Sequence, residues 1–136
     1  MFTPVKFDSG KVLTLGMTAS ATVSRFGHCK MASGYVSAGA AGDNEAEYLA
    51  LETKTDATAV NGSTKVDVLP IDETVQIEAL CATTPVQGTH VGNDYDFSTA
   101  LVLDLTATTD KVFHIDSIVS AADKLVLGHF NKPALA

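Results

Sequence analysis

No tryptophan, a single arginine and only two cysteines occur among 136 residues, and each scarcity removes a class of function. Sugar-processing sites usually offer aromatic platforms, and here only Tyr35, Tyr48 and Tyr95 stand beside six phenylalanines. Sixteen acidic residues must include some pair at the separation glycoside hydrolysis needs, but the missing platforms count against that chemistry. The nine basic residues are scattered, Arg25 is the lone guanidinium, and the net charge is -7. Binding a phosphate backbone takes clustered Lys and Arg, so direct nucleic-acid binding is not expected, and an anionic membrane surface is disfavoured for the same reason. No apolar run approaches the roughly 20 residues that cross a bilayer. The N-terminus, Met1-Phe2-Thr3-Pro4-Val5-Lys6-Phe7-Asp8, lacks a charged segment followed by an apolar one, so no signal peptide is expected and cytoplasmic synthesis is the default. Cys29 and Cys81 are too few for a disulfide scaffold and are expected as free, buried thiols.

Charged residues make up 18% of the chain and hydrophobic residues 46%, against a usual charged share of about a quarter. That balance argues against intrinsic disorder and predicts a surface rich in Thr, Ser, Ala and Gly, suited to an assembly. The length fits one domain. Val66, Val68, Val75, Ile77, Ala79, Leu101, Leu103 and Leu105 alternate with Lys65, Asp67, Gln76, Glu78, Val102 and Asp104, the period of half-buried strands. Strands are expected over 22–25, 27–31, 47–53, 64–69, 74–81, 100–105, 111–118 and 124–130. The strands at 64–69 and 74–81 read as a linked pair across Pro70-Ile71-Asp72-Glu73, and Asn61-Gly62 reads as a turn. A helix over 43–50 is the alternative to a strand there. The pattern predicts an all-β fold, a small antiparallel β-barrel or sandwich. Residues 1–20 form an extended N-terminal arm or a first strand, and 21–136 a single β-domain.

Candidate chemistry is thin. His28 and Cys29 are adjacent, and on a strand adjacent side chains face opposite ways, so they cannot form a thiol–imidazole pair. His28, His90, His114 and His129 lack the spacing of zinc ligands, and His114 and His129 read as outward-facing strand residues. Asp94-Tyr95-Asp96 and Asp43-Asn44-Glu45 read as solvated acidic turns without the ligand order of a calcium loop. The small-residue stretch from Ser37 to Gly42 is a loop, and the acidic residues after it would repel a phosphate. Lys54 resembles a lipoyl-domain lysine only loosely, because Thr53 rather than Asp precedes it. No catalytic residue, metal or cofactor is expected, and binding is favoured over catalysis.

The order of features resembles the head decoration, or capsid cement, proteins of tailed bacteriophages. The resembling segments are Ser33-Gly34-Tyr35-Val36 with its small-residue loop, Glu47-Tyr48-Leu49-Ala50-Leu51-Glu52, and Gly62-Ser63-Thr64-Lys65-Val66-Asp67-Val68-Leu69-Pro70 leading to Val75-Gln76-Ile77-Glu78-Ala79. Gly92-Asn93-Asp94-Tyr95-Asp96, Leu103-Asp104-Leu105, Asp110-Lys111-Val112-Phe113-His114-Ile115 and Leu125-Val126-Leu127-Gly128-His129-Phe130 complete the set, about 70% of the chain. The resemblance implies a structural virion protein on the capsid exterior, a homotrimer whose partner is the major capsid protein. A tail- or fibre-associated β-domain is the alternative, and a small hydrolytic enzyme the more distant one. The capsid contacts are expected at Phe2, Val5 and Phe7, where an apolar arm can add a strand to a neighbour's sheet, and at Gly39 and Gly42. Removing the first ten residues is then expected to leave a folded core.

Overall fold

The structure is a computed structural model that describes residues 1–7, 9–43, 46–72 and 74–131. Among them the strands are β1 (Phe2–Pro4), β2 (Leu13–Gly16), β3 (Thr22–Val23), β4 (His28–Ala32), β5 (Tyr35–Ala38), β6 (Tyr48–Ala50) and β7 (Lys54–Thr55). They continue as β8 (Lys65–Pro70), β9 (Ile77–Leu80), β10 (Asp94–Phe97), β11 (Leu103–Asp104), β12 (Phe113–Ser120) and β13 (Leu125–Phe130). The helical pieces are a 3-10 turn at Ser9–Lys11 and α1, a single turn at Gln87–His90. The fold is all-β and antiparallel, as the alternation predicts.

Six strands form one sheet in the order β1-β9-β13-β12-β10-β11, and five form a second in the order β2-β8-β6-β4-β5. The ribbon β3–β7 is separate. The five-stranded sheet curls until Met17, just past β2, bridges Val36 of β5, and it contributes buried residues from both of its faces. Val66 and Val68 of β8 join Cys29, Val36 and Ala50 in a small core under the ribbon, where Val23 of β3 closes it. Leu69 of β8 and Leu49 of β6 face the other way, into the main core against the six-stranded sheet. Strict period-2 alternation lets one strand feed two cores. The expected linked pair at 64–69 and 74–81 is corrected accordingly: β8 pairs with β2 and β6, and β9 with β1 and β13.

The main core centres on aromatic rings. Phe2, Phe113 and Phe130 are fully buried, with ring centroids 5.2 Å apart for Phe2–Phe130 and for Phe113–Phe130. Phe97 completes the group at 5.5 Å from Phe2. Edge-on packing of this kind contributes beyond area burial. On β12, Phe113 and Ile115 point inward, and register shifts after Ile115 turn Ile118 inward while Val119 stays exposed. One extra residue on a strand swaps its faces.

Two buried carboxylates organise the loops. Asp56 accepts hydrogen bonds from the Ser20 N–H at 2.8 Å and from the Thr58 and Thr64 hydroxyls at 2.8 and 2.7 Å. Those donors, the Ser20 N–H first, hold its carboxyl well below the usual carboxylate range against the opposing effect of burial. Asp96 accepts from the N–H groups of Thr109, Asp110 and Lys111 at 3.1, 2.8 and 2.8 Å. That grip sits where Lys111 takes a left-handed φ of 51°, a conformation most side chains avoid.

Candidate functional site

The N-terminal segment is extended and belongs to the domain's own sheets. β1 pairs with β9 in the register Phe2–Ala79, Thr3–Glu78 and Pro4–Ile77, and the Phe2 N–H donates to the Phe26 carbonyl at 2.8 Å. Phe2 has no exposed surface. Its expected role as a capsid contact is corrected: its ring is part of the main core, and removing the first ten residues would remove a core aromatic and a strand. Pro4, which has no N–H to offer a further strand, also leaves β1 a poor template for a neighbour's sheet.

Just past Pro4 the side chains turn outward. Val5 is 55% and Phe7 39% exposed, and Leu13, opening β2, is 43% exposed. Beside them lies a groove of about 390 Å³ lined by Lys6, Phe7, Lys11, Leu69, Thr74 and Val75. Lys11 approaches Asp72 at 3.7 Å. The Asp72 carboxyl is held below its ordinary value first by the Thr74 hydroxyl and then by the Thr74 N–H. Leu13, Leu15 and Met17 share one strand face that runs from exposed to fully buried. Leu13 is the contact candidate that sequence reasoning missed, since an apolar residue in an alternating strand reads as core.

Gly39 and Gly42 sit on the loop after β5 in different settings. Gly42 is exposed, and a β-carbon there would meet nothing within 4 Å. Gly39 lies against the His28 ring so closely that a β-carbon would overlap it. His28 is fully buried and stacks on Phe97 with centroids 3.5 Å apart and planes 12° from parallel. Neither ring nitrogen has a hydrogen-bond partner among the described residues. Burial pushes its pKa down from 6.5 to about 4, outweighing the nearby Asp43 carboxylate. Asp43 reaches His28 Nδ1 only at 4.0 Å, while its oxygens accept from Lys30 Nζ at 3.2 Å and from the Ala40 N–H at 2.8 Å. Asn44 and Glu45 of the expected acidic turn lie outside the described residues.

His28 and Cys29 do face opposite ways, His28 toward Phe97 and Cys29 into the small core. Both thiols are free and buried. Burial raises Cys29 to about 12 and Cys81 to about 11, so neither is a nucleophile near neutral pH.

The outward face of the six-stranded sheet carries a polar cluster. His114 and His129 are register partners on β12 and β13 with rings 5.1 Å apart. His114 Nδ1 lies 2.7 Å from Asp94 Oδ1, and Asp116 sits between the rings at 3.7 Å from His114 Nε2 and 3.4 Å from His129 Nδ1. Burial raises the Asp94 carboxyl, but hydrogen bonds from Asn131 and His114 outweigh it and hold the group below its ordinary value. Among the described residues no set of three or more His, Cys, Asp or Glu is arranged to hold a metal ion. The expected solvated turn at Asp94-Tyr95-Asp96 is corrected to strand β10, with Asp96 buried under its three N–H donors.

Set beside models of protein families, curated proteins and solved structures, the chain matches none of them. Its geometry therefore carries the functional argument. Of the five expected contact residues, Val5, Phe7 and Gly42 are exposed, Gly39 is half-buried against His28, and Phe2 is in the core. Val5 and Phe7 leave the sheet edge on one stretch of chain. Gly42 lies on the separate loop whose first residue, Gly39, packs against His28. No helix among the described residues is long and apolar enough to cross a membrane.

Proposed function

We propose that the chain is a structural virion protein that binds the outer surface of an icosahedral phage capsid and strengthens it by bridging major capsid subunits. The observation that carries this reading is the anchored apolar segment. Phe2 fixes it in the core, Val5 and Phe7 stand exposed beyond it, and Phe7 lines a groove together with Leu69 and Val75. Exposed apolar side chains on a fixed backbone lose little conformational freedom on docking, and grouped exposure of this kind marks interaction surfaces. The resemblance of the order of sequence features to head decoration proteins supplies the partner.

Docking acts through side chains here, because the segment's backbone is engaged by β9 and by Gln76, whose carbonyl accepts from the Val5 N–H at 2.9 Å. A homotrimer presents three such segments, and simultaneous engagement multiplies a modest single contact. Binding only to the assembled lattice then stabilises the lattice by mass action. The chain acts by binding, with no catalytic step and no cofactor.

The test is a double variant, Val5→Asp with Phe7→Asp, measured against capsids stripped of the protein. The expected result is a loss of affinity greater than about tenfold, the ordinary scale for removing a central contact, with thermal stability unchanged. Undiminished binding of a folded double variant overturns this surface assignment.

A further inference from the structure

His28 is a buried side chain for which the fold supplies little. It is fully buried, its two ring nitrogens are unpartnered among the described residues, and it is clamped between Phe97 and the backbone of Gly39. The groups that face it are few. Asp43 lies 4.0 Å from Nδ1 on the loop, and Lys30, next but one along β4, opposes a positive charge on the ring. β1 contributes the Phe2 ring at 6.2 Å, β10 the Phe97 ring, and the 98–102 turn the backbone of Thr99. A neutral imidazole fits this cage, whereas an imidazolium, cut off from water, would have only Asp43 at 4.0 Å and the backbone of Thr99 to offset its charge. Burying a charge on such terms is strongly unfavourable.

The covering loop is held more weakly than the strands. Past Gly39, whose N–H donates to the His28 carbonyl at 2.8 Å, its described ties are Ala40 N–H to Asp43 at 2.8 Å, Asp43 N–H to the Ala40 carbonyl at 3.3 Å, and Lys30 to Asp43 at 3.2 Å. Ala40, Ala41 and Gly42 are exposed and bring little side-chain packing to resist a change. By contrast, β4 is held on both sides by β5 and β6.

We propose that His28 and the 39–43 loop form an acid-operated latch, closed over the neutral imidazole and opened when His28 takes up a proton. Protonation forces either a charged ring to stay in an apolar cage or the cover to lift and admit water. The small-residue cover gives way before the sheet does. Opening changes the shape of the surface at Gly42 and puts a new positive charge there, so any partner that touches this loop is bound in a pH-dependent way. The latch is a property of the chain alone and does not depend on what it docks to.

The test is an NMR titration of the full chain from pH 7.5 to 3.5, following the His28 ring and the amides of Ala40, Gly42 and Asp43. The His28 ring is expected to titrate near pH 4, and the three loop amides to shift with the same midpoint while the Phe113 and Phe130 amides stay in place. Asp43 is a second acidic group on this loop, so the deciding comparison is His28→Phe, which keeps Asp43 and the stack on Phe97 and should abolish the loop transition. If His28→Phe does not fold, His28→Gln serves the same purpose, and the wild-type ring titration stands by itself. A His28 midpoint near 6.5, a loop transition that survives in the variant, or simultaneous loss of loop and core signals would each overturn the latch.

Discussion

A β-carbon at position 39 would occupy the space of the His28 imidazole. The absence of a side chain at Gly39 is therefore a packing requirement of the buried ring. Gly39→Ala is expected to cost about 1–3 kcal/mol, the usual range for overpacking a filled core. Gly42→Ala, three residues on, should leave stability within about 0.5 kcal/mol, as surface substitutions generally do. Urea unfolding of the two variants checks the contrast, and equal midpoints would mean the ring moves aside freely.

The N-terminal segment divides into an anchor and a contact surface. Phe2→Ala should destabilise by about 3–5 kcal/mol, as for other buried aromatics, because the ring is fully enclosed. Val5→Ser and Phe7→Ser should each change stability by less than about 0.5 kcal/mol. Thermal melts of the three variants separate the roles.

Stability should fall in mild acid because of His28. Its folded pKa of about 4 lies below the 6.5 of an ordinary histidine, so the unfolded chain takes up the proton first. The contribution is intact above pH 6.5, declines as pH drops from there, and levels off below about 4. A gap of that size corresponds to about 3 kcal/mol in all. The depressed carboxyls of Asp72, Asp94 and Asp104 act in a lower window. Their contribution is present above 3.8 and disappears as pH falls through their folded values. Urea unfolding at pH 7, 5.5 and 4.5 should show the decline in wild type and a flatter profile in His28→Phe.

Asp96→Ala should loosen the 107–111 loop and cost about 2–4 kcal/mol, since several backbone donors lose a charged acceptor together. The loss should register as faster amide exchange at Thr109, Asp110 and Lys111, the three donors. Unchanged exchange at those amides would show that the left-handed turn at Lys111 holds itself.

The thiols should be silent in the folded protein. With Cys29 and Cys81 buried and raised to about 12 and 11, a disulfide reagent at pH 8 should label neither, and both on addition of denaturant. Rapid labelling of either in the native state would contradict its burial.

The strands at β8, β12 and β13 were legible because each is a short run rich in Val, Ile, Leu and Phe bounded by turn residues, and the structure places them within a few residues of expectation. Sheet membership was not. The short connection between Leu69 and Val75 reads as the link of a strand pair, yet it carries the chain from one sheet to the other. That choice depends on Leu69 and Ile77 packing across the main core, a long-range contact no local pattern encodes. β10 was hidden for a different reason: Asp-Tyr-Asp has turn composition, and Asp96 is tolerated inside only because donors thirteen or more residues away satisfy it. The possible helix over 43–50 gives way to strand β6 at Tyr48–Ala50, where Leu49 and Ala50 face different cores. At the N-terminus the apolar composition was plain, but nothing local distinguished Phe2, which is buried, from Phe7, which is not. His28 looked like an idle histidine beside a cysteine, and its cage is assembled from β1, β10 and the distant loop.

The most direct test of the central claim is the copy number of this chain in virions purified from its source, set against the major capsid protein by quantitative mass spectrometry. The account predicts hundreds of copies, at a simple fixed ratio to the capsid subunit. A handful of copies per particle, or none, would contradict it.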